Sequence, residues 1–295
     1  MNRSELLQKT ISVLHKADFW VYFNEGLRQY FDLIGIRDFR IFVKVLMNID
    51  NLGAVEGSEL KKFAQVFSAQ SFVVGERAGM EPLRDGVFYH RFDNPCVNLS
   101  TFTSILRGES ISRFTKRGHF LVSIDGDALK ELREQRGLSQ DDLARILGCT
   151  GRTICRIEKH NRIGEDLLEK LVEYFGRDME IGPVELRQPA GKIEVPISDP
   201  LKKEIIREYF RLKLDNVPFQ MQIDFALEEK PVLTPVSRTE GELRHKHRIA
   251  KNLSELLECG VVHITKEQRK RRISAISFNE LHTISSKREI LDRLD

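Results

Sequence analysis

Gly137-Leu138-Ser139-Gln140-Asp141-Asp142-Leu143-Ala144-Arg145-Ile146-Leu147-Gly148-Cys149-Thr150-Gly151-Arg152-Thr153-Ile154-Cys155-Arg156-Ile157-Glu158 holds two short helices and a turn with no room for anything else. Ser139 supplies an N-cap oxygen, and Asp142 three positions later answers it as a capping-box acid. A first helix therefore starts there, with Leu143, Ala144 and Leu147 on its apolar side. Gly148 stops it. Thr150 caps a second helix in which Ile154 and Ile157 face inward, while Arg152, Thr153 and Arg156 are left outside. The stretch reads as a helix-turn-helix.

An exposed helix that presents Arg side chains fits the major groove, where a guanidinium pairs with guanine O6 and N7 or with phosphate. From Ile124 to Gly176 the sequence resembles the Cro/repressor (XRE) family of helix-turn-helix domains. Leu129, Leu132, Leu138, Leu143, Ala144, Leu147, Ile154, Ile157, Leu168, Leu171 and Phe175 stand on that family's core positions. The resemblance implies a central five-helix domain that meets double-stranded DNA through Ser139, Gln140, Thr150, Gly151, Arg152, Thr153, Arg156 and Lys159. Two positions depart from the pattern. Cys149 stands where Val or Ile is usual, and Gly151 where many members carry a long polar side chain, which weakens base readout at the start of the second helix.

With 295 residues, 41% of them hydrophobic and 31% charged, the chain is long enough for two or three compact units. No stretch approaches the roughly 18 consecutive apolar residues of a membrane span, and Met1-Asn2-Arg3-Ser4-Glu5 lacks the apolar region of a signal peptide, so the cytoplasm is the expected location. Cys96, Cys149, Cys155 and Cys259 contain no CxxC pair and suggest neither a zinc site nor a disulfide framework; Cys149 and Cys155 are expected to be buried or half-buried. No metal and no cofactor are called for. A net charge of +3 diagnoses nothing by itself. Locally, however, Arg145, Arg152, Arg156, Lys159 and Arg162 are opposed only by Glu158, and a basic face on a balanced chain suits selective DNA binding.

On the N-terminal side, apolar residues at helical spacing predict a helix over 4–17. Phe31–Ile36 and Arg40–Leu46 read as a hairpin, Ser58 as the cap of a helix through Phe67, and Ser71–Gly75 as a buried strand. A strand over Val87–His90, a turn at Asp93-Asn94-Pro95 and a helix capped by Asn98 follow. His90 reads as a lone histidine without a metal partner. Arg113, Lys116 and Arg117 read as a basic connector before a strand over Phe120–Ile124.

Asp32 leading one strand and Lys44 ending the next resemble the core of restriction-endonuclease-like folds, whose site is an Asp followed by Glu-x-Lys. Phe42 occupies the place of the Glu, so the resemblance implies nuclease shape without the oxygen ligands that Mg²⁺-dependent cleavage needs.

Past a linker at Gly182-Pro183 and Pro189-Ala190-Gly191, the last hundred or so residues replay the first unit. A helix over 200–212, strands over 222–226 and 231–236, a helix over 242–257 and a strand over 260–264 repeat its order, with Asp224 in the place of Asp32. Pro231 and Pro235 are expected to hold the second strand at a sheet edge. His245 and His247 share no helix face and sit among cations, and Lys266, Arg269, Lys270, Arg271 and Arg272 form the densest basic run.

The expected architecture is α/β plus all-α, a central Cro/repressor-like domain (119–180) flanked by α/β units over 1–118 and 190–295, the flanks being degenerate restriction-endonuclease-like. With the Ile124-Asp125-Gly126 lead-in and the late Ile273–Phe278 segment, this layout resembles a group of archaeal helix-turn-helix transcriptional regulators. That resemblance implies a transcriptional regulator of double-stranded DNA; because one recognition helix reads only a few base pairs, a homodimer is expected, with the transcription machinery as a further partner. A site-selecting nuclease and a protein-binding scaffold are the alternatives.

Overall fold

A computed structural model describes residues 1–23, 31–116, 119–176, 197–220, 223–227, 231–266, 273 and 275–293. In chain order the elements are α1 (Arg3–Lys16), β1 (Trp20–Phe23), β2 (Leu33–Ile36), β3 (Arg40–Asn48), α2 (Ala54–Val66), β4 (Gln70–Ala78), β5 (Glu81–Pro82), β6 (Val87–Arg91), β7 (Asn94–Val97), α3 (Leu99–Leu106), β8 (Arg113–Lys116), β9 (His119–Ser123), α4 (Gly126–Gln135), α5 (Gln140–Leu147), α6 (Gly151–His160), β10 (Arg162–Gly164) and α7 (Glu165–Phe175). There follow α8 (Pro200–Arg211), β11 (Asn216–Pro218), β12 (Phe225–Leu227), β13 (Val232–Thr234), β14 (Val236–Ser237), α9 (Glu240–Leu257), β15 (Gly260–Val261), β16 (Ile264–Thr265), β17 (Ile276–Ser277), α10 (Phe278–Thr283) and α11 (Lys287–Leu291). The described residues form two compact units. One draws on Met1–Phe19, Val45–Leu52 and Phe72–Pro189, the other on Trp20–Lys44, Gly53–Ser71 and Ala190–Asp295.

In the first unit the strands run β4-β7-β6-β8-β9-β10, with β5 beside β4. β4 and β7 pair in parallel, as do β6 and β8, whereas β9 is antiparallel to both β8 and β10. The β9–β10 ladder sets Ile163 opposite Val122 and so ties the helical region to the sheet. Both residues join Leu129, Leu143, Leu147, Ile154, Ile157 and Leu171 in one apolar core. Four helices, α4 to α7, lie around it among the described residues; 177–196, which include the expected linker, fall outside them.

Three local expectations in this unit need correction. The turn after β6 falls one residue early, on Phe92 and Asp93 with φ of 50° and 58°, and Asn94-Pro95 already belong to a strand. Arg113 lies in β8, not in a connector, and its guanidinium pairs with Glu165 at 3.3 Å. Cys155 is exposed, because α6 buries only Ile154 and Ile157; Cys149 is half-buried as expected.

In the second unit β2 and β3 form the expected hairpin, Leu33 opposite Val43, with the strand β1 antiparallel to β2 on the other side. Helix α2 starts at Ala54 behind Gly53, so Ser58 is a buried interior residue and not its cap. Phe42 is fully buried, with its ring centroid 5.2 Å from that of Phe31 and 5.3 Å from that of Phe63; Phe63 in turn lies 5.4 Å from Phe219. The expected acid position is thus the middle of an aromatic cluster, where a carboxylate would lose its hydration.

The C-terminal half repeats the N-terminal order. Helix α8 leads into β11, β12 and β13, paired antiparallel in turn, and α9 then crosses over to β15, parallel to β13. Strand β13 lies between β12 and β15, so the prolines do not place it at an edge. Pro235 instead divides it from β14, and the next amide, Val236 N–H, donates to Asp224 Oδ2 at 2.7 Å. A buried carboxylate takes over where the proline interrupts the ladder.

Candidate nucleic-acid interface

The helix-turn-helix is built by its caps. Ser139 Oγ accepts from the Asp142 amide at 3.1 Å while Asp142 Oδ2 accepts from the Ser139 amide at 3.0 Å, completing the capping box at the start of α5. Hydrogen bonds from Ser139 hold the Asp142 carboxyl below its ordinary range. Gly148 ends α5 with φ of 71°, and Lys170 Nζ donates to the Leu147 carbonyl at 3.2 Å. Thr150 caps α6, its Oγ1 accepting from the Thr153 amide at 3.3 Å. Asn161, in left-handed backbone at φ of 54°, ends it.

The orientation of α6 depends on a buried ion pair that local sequence signals did not reveal. Glu158 Oε1 accepts from Arg133 Nε at 2.7 Å, and Glu158 Oε2 accepts from Gln140 Nε2 at 2.8 Å. The Glu158 and Arg133 side chains are 8% and 7% exposed. Arg133 Nη1 also donates to the Leu138 carbonyl at 2.8 Å, so one guanidinium joins α4, the turn before α5, and α6. At the other end of α4, a Cβ on Gly126 would lie 2.2 Å from the Glu158 carbonyl oxygen, so glycine permits the two helices to meet. At Gly151 a Cβ would fall 1.9 Å from Asp141 Oδ1, the far end of a side chain that can swing aside, so glycine is not demanded there as it is at Gly126.

These contacts sort the expected DNA residues. Ser139 is occupied by its cap, Gln140 by Glu158, and Thr150 by the α6 cap, while Thr153 is half-buried against Thr150. Arg152, Arg156 and Lys159 are exposed and have no ion pair among the described residues. Glu158, the acid expected to oppose them, faces inward, so the outer side of α6 is basic without a carboxylate of its own. Arg145, also exposed, pairs with Asp142 at 3.2 Å. Of the late basic run, only Lys266 is described; Arg269, Lys270, Arg271 and Arg272 lie outside the described residues.

In the second unit Lys44 Nζ lies 2.6 Å from Glu56 Oε1 and 3.8 Å from Asp32 Oδ1. Glu56, which no local motif singles out, stands on the first turn of α2. The Mg²⁺ implied by a nuclease-like fold does not fit this group: the ammonium already binds the carboxylates, and Phe42 offers no oxygen. Among the described residues no three His, Cys, Asp or Glu side chains are grouped to hold a metal.

The C-terminal repeat carries a matching group. Asp224 Oδ2 lies 2.6 Å from Lys246 Nζ, which is 3.3 Å from Glu242 Oε1, and Asp224 Oδ1 lies 2.7 Å from Lys202 Nζ. Glu242 is the third residue of α9, as Glu56 is of α2. The lysine, however, comes from the helix in place of the strand, where Pro235 now stands. His247, which shares no helix face with His245, meets His263 with Nδ1 3.0 Å from Nε2; burial pushes His263 down to about 4, so it is neutral near pH 7.

The family profile of PD-(D/E)XK superfamily domains matches residues 3–111, and that of helix-turn-helix domains matches residues 129–181. A Pyrococcus furiosus protein named "Putative HTH-type transcriptional regulatory protein" is 30% identical over 285 residues, covering 90% of this chain and 89% of its own length. Proteins of the same name from Archaeoglobus fulgidus and Thermoplasma acidophilum are 27% and 29% identical, covering 98% and 99% of this chain and 96% and 97% of their own lengths. No solved structure matches. By descent along nearly its whole length, and with the capped, Arg-bearing helix pair in place, the chain belongs to this family of archaeal HTH-type transcriptional regulatory proteins.

Proposed function

We propose that the chain is a sequence-selective regulator that binds double-stranded DNA by laying α6 in the major groove. The observation that carries the reading is the outer side of α6, where Arg152, Arg156 and Lys159 stand exposed without ion pairs among the described residues. In this reading Arg156 and Arg152 reach base edges, and Lys159 meets phosphate. Ser139, Gln140, Thr150, Gly151 and Thr153 bring the two helix N-termini to the backbone. Gly151 contributes close approach in place of a base contact.

Selection of duplexes from a random pool is expected to return a defined site. On that site Arg156→Ala should weaken binding by about 1–3 kcal/mol and relax one base position. An equal loss on every sequence would reduce Arg156 to a phosphate contact.

The PD-(D/E)XK match supports a second reading, a site-selecting nuclease. The lysine-bound carboxylates argue against it, and plasmid incubated with Mg²⁺ or Mn²⁺ is expected to stay supercoiled with wild type, Asp32→Ala and Lys44→Ala alike. Nicking by wild type that disappears in either variant would establish the enzyme.

One helix-turn-helix reads only a few base pairs, and regulators of this kind gain selectivity from two recognition helices about 34 Å apart. The reading therefore includes a homodimer held through residues 1–115 or 190–295, acting on an inverted repeat and on the transcription machinery. Light scattering should give about twice the 34.2 kDa of the chain. A mass of 34.2 kDa unchanged by DNA would exclude the dimer. No helix among the described residues is long and apolar enough to cross a membrane, which is consistent with a place beside cytoplasmic DNA.

A further inference from the structure

A groove of about 490 Å³ runs beside α6, between that helix and the β9–β10 ladder. Its rim carries His119, Arg156, His160 and Arg162, and no carboxylate lines it. Glu165, next along the chain from the groove's Gly164, pairs with Arg113 at 3.3 Å and Arg84 at 3.6 Å. Its floor is apolar. Leu121 and Leu167 are half-buried in it, above the buried Ile157 and Ile163.

The β-register explains why the space exists. Gly164 stands opposite Leu121, so where a side chain would cover the floor there is none, and a Cβ built on Gly164 meets nothing within 4 Å. Gly164 has φ of −67° and ψ of 145°, which any residue adopts, so its backbone does not require glycine. Neither Arg156 nor Arg162 has an ion pair among the described residues, and Arg162 is half-buried. A DNA phosphate would satisfy the cations but gain nothing from the apolar floor. An ion with a hydrocarbon body uses both, and the volume lies within the range of small-molecule sites.

We propose that this groove binds a small organic anion with an apolar body, an aromatic or branched carboxylate or sulfonate, its charge held by Arg156 and Arg162. Arg156 also belongs to the DNA-reading surface, so on the DNA-binding reading above, anion and duplex exclude one another and the anion acts as an effector.

The test uses the full chain and the fluorescent probe 8-anilinonaphthalene-1-sulfonate, first without DNA. One saturable site is expected, weakened about tenfold by Arg162→Ala, as loss of a charge-assisted contact predicts. Gly164→Leu should abolish it by filling the groove while leaving every charge in place. Neutral N-phenyl-1-naphthylamine should not compete for it. Circular dichroism confirms that both variants are folded. Probe binding unchanged in either folded variant, or no saturable binding to wild type, overturns the site. A selected duplex is then added. Displacement of the probe supports the effector role, and joint occupancy overturns that role alone. Should no duplex bind the wild type, the DNA-binding reading fails while the first titration still decides the groove.

Discussion

Glu158→Ala is expected to destabilise the helix-turn-helix core by about 3–5 kcal/mol, more than any change on its DNA-facing side, because it strands the charge of Arg133 in a largely dry position. The Arg133 side chain is 7% exposed and Glu158 is its carboxylate partner at 2.7 Å, with Glu134 reaching only Nη2 at 3.4 Å. Gln140 Nε2 loses its acceptor in the same step. The pair holds the guanidinium pKa above its ordinary value, which places the coupling in the charged state. Glu158→Gln keeps one oxygen acceptor but no counter-charge, and sets an amide N–H against a donor at the other position, so it should recover only part of the loss. Thermal and urea unfolding followed by circular dichroism measures both. If Glu158→Ala melts with the wild type, Arg133 reaches water and the pair does not fix α6. DNA binding should fall on all sequences alike in Glu158→Ala, since the helix loses its anchor and keeps its arginines, a pattern distinct from the one-position effect of Arg156→Ala.

The second large effect is expected at Asp224→Ala, again about 3–5 kcal/mol, now in the other compact unit. Asp224 is 3% exposed and compensates two ammonium groups, Lys246 at 2.6 Å and Lys202 at 2.7 Å, besides accepting from the Val236 amide that follows Pro235. Removing it leaves Lys246 with Glu242 at 3.3 Å, Lys202 with no carboxylate in ion-pair reach among the described residues, and an amide without its acceptor. The matching change in the first repeat, Asp32→Ala, should cost less, because Lys44 keeps Glu56 at 2.6 Å. Urea titration of both variants, read by circular dichroism, ranks them. Equal losses would show that the two groups are equivalent supports despite the different origin of the lysine.

This difference also bears on the PD-(D/E)XK-like region and its C-terminal counterpart. In each, an acid just before the first strand of the hairpin, an acid on the first turn of the following helix, and a lysine lie together. The ammonium comes from β3 in one half and from α9 in the other. Charge neutralisation is kept while the element that supplies it changes. In both halves the group ties strand to helix.

Signals confined to a few residues were legible from sequence. The Ser139–Asp142 capping box, the Thr150 cap, the left-handed Gly148 and the inward set Leu143, Ala144, Leu147, Ile154 and Ile157 all depend on neighbours within one or two turns, so the central motif stands as read. The hairpin Asp32–Lys44, the absence of an acid at Phe42 and the repeated order of the C-terminal half were legible for the same reason. Tertiary structure alone decided the rest. Arg133 and Glu158 stand 25 residues apart and Lys44 and Glu56 come from different elements, so no period connects them. The open floor beside Gly164 arises only because β10 pairs with β9, a strand some forty residues earlier. The sequence by itself determined which helix is proposed to read DNA, through short-range backbone hydrogen bonding and apolar spacing. Only the folded chain decided which charges remain free to do so, because burial and pairing across distant segments neutralise Glu158 and leave Arg152, Arg156 and Lys159 exposed.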